Sequence, residues 1–132
     1  MNLVEKFNDS YERIMYGNTA FFDHFYQQFV QHSEEIAAMF KHIDMTHQKV
    51  MLKKSLVVMI VFAATRQRDD DLRRIAIKHQ HLGLKSHHYD LWLDTLVEAA
   101  RTCDPHFDED CEKGWRHVIG AGIDYMKAVT MD

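Results

Sequence analysis

The stretch of sequence that decides the fold is residues 69–89, DDDLRRIAIKHQHLGLKSHHY. Its three leading aspartates favour the start of a helix, because negative charge is stabilised near a helix N-terminus. Apolar residues and one histidine then recur at spacings of three and four, which is typical of one helix face. They are Leu72, Ile75, Ala76, His79 and Leu82. Gly83 ends the pattern, so the stretch predicts a helix with His79 facing the interior.

Helices are predicted over the rest of the chain as well. The 132 residues contain one proline and five glycines, and apolar and polar residues nowhere alternate over the length of a strand. We therefore expect an all-α protein with a single domain spanning residues 1–132. The other predicted helices are residues 2–16, a helix that opens at Thr19, a short helix capped by Ser33 and ending at Phe40, residues 45–65 with a cap at Asp44 or Thr46, a helix capped by Ser86, and a last helix after Pro105.

The helix predicted over residues 45–65 is apolar on every side in its second half, which reads LVVMIVF at residues 56–62. Such a helix has to be covered all round, so we expect it to be the central element of the fold. Two other helices also carry residues spaced to face inward. These are Phe22, Phe25, Tyr26 and Phe29 in the second helix, and Trp115, Ile119, Ile123 and Met126 in the last.

Charge and hydropathy exclude two classes of partner. The net charge is -4 and the sixteen lysines and arginines are scattered, so the basic stripe of a nucleic-acid-binding protein is missing. The longest apolar run, residues 56–64, falls well short of the ~20 residues that span a membrane. No apolar block follows a basic start at residues 1–6. We expect a soluble, cytoplasmic protein with neither a nucleic acid nor a membrane as its partner.

The two cysteines, Cys103 and Cys111, are too few for a disulfide framework. Reduced thiols are expected, with a redox disulfide closing the loop between them as the alternative. Lysines 49, 53 and 54 are interpreted as a solvated face. The histidines at 24, 32, 42, 106 and 117 and the adjacent pair His87–His88 are expected to be surface or capping residues, because none has the spacing of a zinc pair.

An inward-facing histidine is more often a hydrogen-bonded core residue than a metal ligand, so His79 alone decides nothing. A haem iron needs a neutral imidazole, a second residue that orients the ring, and an apolar slot for the porphyrin. Apolar residues from five predicted helices and from the turn after Gly83 could line such a slot. An ordinary aromatic core would use the same residues. They are Phe25, Phe29, Phe40, Leu52, Leu56, Leu84, Trp92, Ile119 and Ile123.

Around His79 the chain resembles the bacterial single-domain globins and the globin domain of flavohaemoglobins, and the resemblance covers nearly the whole chain. The motif is IAIKH at residues 75–79, followed by Gly83 and by Tyr89 ten residues after the histidine. The resemblance implies a globin fold, a three-over-three helical sandwich around haem b. It also implies that His79 is the proximal iron ligand and that Tyr89 forms a hydrogen bond near it.

A second set of residues is similar to the distal side of those globins. Phe25 and Tyr26 are followed by Phe40, which looks like the phenylalanine that wedges the haem. Gln48 and Leu52 are similar to the distal glutamine and its apolar companion. A phenol and an amide can both donate hydrogen bonds to a diatomic ligand and slow its loss. A one-residue shift in register would instead direct His47 at the iron.

One position departs from the flavohaemoglobin pattern. A glutamate expected late in the last helix corresponds to Thr130, and the nearby acids are only Asp124 and Asp132. The resemblance therefore implies a proximal imidazole with less anionic character than in flavohaemoglobins. It favours gas binding over peroxidase-like chemistry.

Three functions are compatible with this sequence. The leading one is reversible binding of dioxygen, nitric oxide and carbon monoxide by a monomer or dimer, for transport, scavenging or sensing. A nitric oxide dioxygenase served by a separate reductase is an alternative. A gas-sensing or haem-free globin module acting through a signalling partner is another.

Overall fold

The computed structural model describes residues 2–17, 20–67 and 70–130, without the side chain of Thr130. Over these ranges the chain forms seven α-helices and no strand, which confirms the all-α prediction. The helices are α1 Leu3–Tyr16, α2 Phe21–Gln31, α3 Glu34–Phe40, α4 Met45–Thr65, α5 Asp70–His81, α6 Ser86–Cys103 and α7 Glu109–Thr130. Thr19 and Asp69, the predicted first residues of α2 and α5, lie outside the described residues.

Side chains cap three of the helices, at Ser33 and Asp44 as the sequence predicts and at Asn2, which was expected to be the first helical residue. Asn2 accepts a hydrogen bond from the backbone N–H of Glu5 in α1, and Ser33 accepts one from that of Ile36 in α3. Of the two caps considered for α4, the structure uses Asp44. Its carboxylate accepts from the backbone N–H groups of Thr46 and His47, which satisfies two otherwise unpaired donors of the first turn.

The cap of α6 corrects the prediction at Ser86. Ser86 is the first helical residue, and Lys85 occupies the cap position. The backbone N–H of Lys85 donates to Nδ1 of His88 at 2.9 Å. His88 is therefore a capping residue, as expected, but it is buried rather than on the surface, with 2% of its area exposed.

The end of α5 holds the backbone of His79 in place. Gly83 adopts a left-handed conformation with φ 84°, which a glycine tolerates without strain. The turn lets the N–H groups of Leu82 and Leu84 both donate to the carbonyl of His79. Leu82 lies in this turn, after the last residue of α5, and does not face the core. Its side chain is 60% exposed, so the prediction that it faces inward is wrong.

The core forms where α7 crosses α1, α4, α5 and α6, while α2 packs against α6. The predicted inward residues of α7, Trp115, Ile119, Ile123 and Met126, are all buried. Trp115 is fully buried, and its Nε1 donates to the Ser10 hydroxyl of α1 at 3.0 Å. In α2, Phe25, Tyr26 and Phe29 are buried as predicted.

Helix α4 is covered on one side only, which contradicts the expectation that it is enclosed all round. Leu52, Leu56 and Met59 face the core, whereas Val57 and Val61 are each about half exposed, at 49% and 50%. The seven helices leave this outer face without a neighbour among the described residues. The same ranges contain no helix long and apolar enough to cross a membrane.

Both cysteines are free thiols, and a buried ion pair organises the loop between them. Asp104 is 3% exposed and accepts two hydrogen bonds from Arg13 of α1, at 2.7 and 2.8 Å. Buried Cys111 lies 3.8 Å from the same guanidinium. This pair ties the end of α6 to α1.

Candidate functional site: a histidine–tyrosine pair and a tyrosine–glutamine pair

His79 and Tyr89 form the first half of the candidate site. His79 lies two residues before the end of α5 and is half-buried, and Tyr89 is in the first turn of α6 with 5% of its area exposed. Their rings meet edge to face, with centroids 6.2 Å apart and an angle of 79° between the planes. The short turn at Gly83 brings them together, so the sequence spacing of ten residues becomes a contact.

Burial keeps both residues of this pair uncharged. It lowers the pKa of His79, and neighbouring Lys78 lowers it further, so the imidazole is neutral at pH 7. Burial also raises the pKa of Tyr89 to about 12, so its hydroxyl stays protonated. A neutral imidazole with a free lone pair is the form that binds a metal.

Two polar atoms of the pair have no hydrogen-bond partner among the described residues. They are Nδ1 of His79 and the hydroxyl of Tyr89, both buried. An unsatisfied buried polar group costs about 1–3 kcal/mol, so such atoms are rare unless something else uses them. A haem fits these residues, since one ring nitrogen of His79 would ligate its iron and leave the other as a donor that Tyr89 is placed to receive or orient.

Tyr26 and Gln48 form the second half of the site. Nε2 of Gln48, in the first turn of α4, donates to the hydroxyl of Tyr26 in α2 at 3.2 Å. Tyr26 is 5% exposed and Gln48 is half-buried. Burial raises the pKa of Tyr26 to about 12, although the hydrogen bond from Gln48 acts in the opposite direction. The hydroxyl is therefore a protonated donor throughout the physiological pH range.

The structure shows which of the neighbours His47 and Gln48 is directed at Tyr26. His47 is exposed, and Gln48 is the residue that reaches Tyr26. The cap at Asp44 fixes where α4 begins and so sets which side chain of the first turn points at α2. The side chain of Gln48 is accordingly the one available to a ligand beside Tyr26.

The predicted apolar lining is largely buried. Tyr26 meets Phe40 edge to face at 5.5 Å, and Phe25 meets Trp92 in the same way at 5.9 Å. Phe40 and Leu84 are half-buried. The fully or nearly fully buried members of the predicted set are Phe25, Phe29, Leu52, Leu56, Ile119 and Ile123. Thr130, at the position of the missing glutamate, and the nearby acid Asp132 lie outside the side chains that the structure describes.

One contact beside the site was not predicted from the sequence. Lys49 was expected on a solvated face, but its ammonium pairs with the carboxylate of Asp23 in α2. The pair bridges α2 and α4 one residue from Gln48 and three from Tyr26. Nothing in the sequence pattern marks it, because the two residues come together only when the helices cross.

Metal-ligating residues also gather at Glu35, His87 and His88, whose donor atoms lie within 4.8 Å of one another. Nδ1 of His88 accepts the backbone N–H of Lys85, so the proton of the neutral ring is on Nε2, 3.2 Å from the carboxylate of Glu35. Nε2 presents a hydrogen rather than a lone pair. Nε2 makes no hydrogen bond among the described residues, so His88 acts as a capping residue through Nδ1.

This chain is similar in sequence and in structure to known proteins. The chain is 33% identical over 101 residues to a flavohemoprotein from Vibrio cholerae, a match that spans 70% of this chain and 24% of the flavohemoprotein. A crystal structure of protein PA3967 from Pseudomonas aeruginosa PAO1, described as structurally highly homologous to a human hemoglobin, superposes with a TM-score of 0.90. It is 34% identical and covers 98% of both chains. No family model matches the sequence.

Proposed function

Because this chain belongs to the bacterial globin family, we propose that it is a haem protein that reversibly binds dioxygen and other diatomic gases, including nitric oxide and carbon monoxide. The observation that carries this proposal is His79. It is a neutral, half-buried imidazole beside Tyr89, and its Nδ1 has no partner among the described residues. A neutral imidazole beside a side chain that can orient its ring is what a proximal ligand to haem b requires.

The haem, when bound, supplies an iron centre at which a diatomic gas coordinates. His79 would hold it on one side, with Tyr89 orienting the imidazole ring. Phe40, Leu52 and Leu56 would pack against the porphyrin and exclude water, which would slow oxidation of the ferrous state.

Tyr26 and Gln48 would act on the gas itself. Both side chains end in donors, and they already lie within hydrogen-bond distance of each other. Dioxygen held on a haem would carry partial negative charge for these donors to meet, whereas carbon monoxide would carry little. Two converging donors therefore favour retention of dioxygen over carbon monoxide.

A haem-free role fits the structure less well. An interaction module without a cofactor would bury the polar atoms of His79 and Tyr89 with no compensating partner. A core of the same shape built from apolar residues would be more stable.

Absorption spectra of the purified protein in the ferric, ferrous and carbonyl forms test the proposal. We expect one haem per chain, a Soret band that shifts on reduction and again with carbon monoxide, and an oxygenated form that returns to the ferrous spectrum when dioxygen is removed. A chain that does not take up added haemin in a one-to-one ratio contradicts the proposal.

A nitric oxide dioxygenase is the second candidate, and the similarity to a flavohemoprotein favours it. One nitric oxide, one dioxygen and one electron give one nitrate, so turnover needs a reductant. The matched part of the relative is 24% of its length, and we propose that a separate reductase would supply the electron. Sustained nitric oxide consumption with a cellular reductase extract supports this role, and a single turnover followed by arrest excludes it.

A further inference from the structure

A surface cleft of about 490 Å³ lies between α2, α3 and α4. Its wall is formed mainly by the apolar parts of Tyr26, Val30, Ala37, Phe40 and Met45. Such a wall offers no hydrogen bonds to a polar solute but is compatible with a small uncharged molecule.

Tyr26 belongs both to this cleft and to the candidate distal pair. Its side chain lines the cleft, and its hydroxyl accepts the hydrogen bond from Gln48, which does not line it. Phe40 is the other shared residue, since it lines the cleft and packs edge to face against the ring of Tyr26. A rotation of Tyr26 would therefore connect the cleft with the space that Gln48 faces.

The Asp23–Lys49 ion pair lies at the polar side of the cleft and joins α2 to α4. The two side chains are 65% and 34% exposed, so the pair is accessible to water. An ion pair of this kind is only weakly stabilising and separates readily. It can restrict the opening without closing it permanently.

We propose that this cleft is the path by which the diatomic gas enters and leaves the distal side. The inference rests on the proposed function, because it assumes that a gas binds next to Tyr26 and Gln48. An uncharged diatomic molecule passes between the Asp23–Lys49 pair and the apolar wall. It then reaches Gln48 when Tyr26 and Phe40 move aside.

Flash photolysis of the carbonyl complex of the haem-loaded protein measures the rate at which carbon monoxide recombines from solvent. Ala37→Trp places an indole in the cleft, and Ala38→Trp is the matched control, since Ala38 is exposed on the same helix and does not line the cleft. We expect Ala37→Trp to slow association at least several-fold and Ala38→Trp to leave it at the wild-type rate.

A blocked path differs from a damaged site in its effect on affinity. Narrowing the path raises the barrier between two unchanged end states, so Ala37→Trp slows dissociation by the same factor and leaves Kd unchanged. Asp23→Asn removes the charge of the ion pair and keeps the size of the side chain. It acts in the opposite direction and speeds both association and dissociation. Lys53→Ala, at an exposed lysine of α4 outside the cleft, serves as its control.

The possible outcomes separate the two proposals. If the wild-type protein forms no carbonyl complex, the proposed function fails and the entry path fails with it. If the complex forms but wild type, Ala37→Trp and Ala38→Trp recombine at one rate, the entry path alone is overturned. A change in Kd with Ala37→Trp overturns it as well, because the substitution would then act on the binding site.

Discussion

At the scale of single residues, the candidate site depends on two hydroxyl groups that burial keeps protonated. Burial raises the pKa of Tyr26 and of Tyr89 to about 12. Tyr26 can therefore donate a hydrogen bond to a ligand at any physiological pH. A histidine in its place would change its protonation state over the same pH range.

Removing the hydroxyl of Tyr26 should speed the loss of dioxygen. A hydrogen bond to a group that carries charge is worth about 1.5–3 kcal/mol, so Tyr26→Phe should raise the dioxygen dissociation rate by about tenfold or more. The carbon monoxide rate should change far less. Tyr11→Phe is the control, because Tyr11 packs against Phe7 in α1 and is not a residue of the site. Equal effects on both gases would contradict a donor role for Tyr26.

The raised tyrosine pKa values also predict how stability depends on pH. In the unfolded chain tyrosine ionises near pH 10, while Tyr26 and Tyr89 stay protonated until about pH 12. Above pH 10 the unfolded state therefore binds fewer protons than the folded state, and stability falls as the pH rises.

An alkaline titration followed by tyrosinate absorbance tests that prediction. We expect two tyrosines to ionise near pH 12, with Tyr26→Phe and Tyr89→Phe each removing one of them. Ionisation of all five tyrosines near pH 10 in the folded protein would show that neither hydroxyl is buried as described.

The residues of the candidate site are a prediction from the sequence and the resemblance it carries, and the structure adds the contacts among them. The spacing from His79 to Gly83 and Tyr89 is local, because one short turn separates the two helices. Gln48 and Tyr26 are 22 residues apart, and a register shift of one would have substituted His47. Only the cap at Asp44 and the crossing of α2 with α4 decide between these neighbours.

At the scale of helices, close contact between α1 and α7 depends on Gly114. A Cβ added there would lie 2.6 Å from the backbone oxygen of Leu3 and 3.0 Å from the backbone nitrogen of Phe7. Backbone atoms cannot rotate away as a side chain does. Helices α1 and α7 would have to separate, which would also loosen the packing around Trp115.

Gly114→Ala should therefore destabilise the protein, although alanine is the better helix former. At Gly120 an added Cβ would meet only a Leu93 methyl group, at an ordinary distance of 3.9 Å. Gly120→Ala should gain up to about 1 kcal/mol from helix propensity, whereas Gly114→Ala should lose about 1–3 kcal/mol to overpacking. Urea unfolding of both variants measures the difference. A stabilised Gly114→Ala would mean that α1 does not approach α7 this closely.

Helix α4 shows where a sequence pattern stops being informative. Its length follows from the sequence, which left Asp44 and Thr46 as candidate caps, but its apolar second half predicts burial on every side. The half-exposed Val57 and Val61 show that hydrophobicity alone does not determine what covers a face. That depends on how many helices the chain has left to pack there. The prediction that Leu82 faces inward is wrong because α5 ends at His81, so Leu82 does not continue the helix face.

At the scale of the whole molecule, the cofactor should stabilise the fold. A ligand that binds only the folded state adds about 2.7 kcal/mol when its free concentration is a hundredfold above Kd. Haem-free protein should therefore melt at least several degrees below the haem-loaded form. Thermal unfolding followed by circular dichroism measures both forms, and identical midpoints would contradict a haem bound between the helices.

The central claim is that His79 holds the haem iron, and imidazole rescue tests it most directly. We expect His79→Gly to lose the wild-type ferrous and carbonyl spectra and to regain them when free imidazole fills the vacated position. His81→Gly, at an exposed histidine two residues further along α5, should keep the wild-type spectra without imidazole. A His79→Gly protein that binds haem with an unchanged ferrous spectrum in the absence of imidazole would contradict the account.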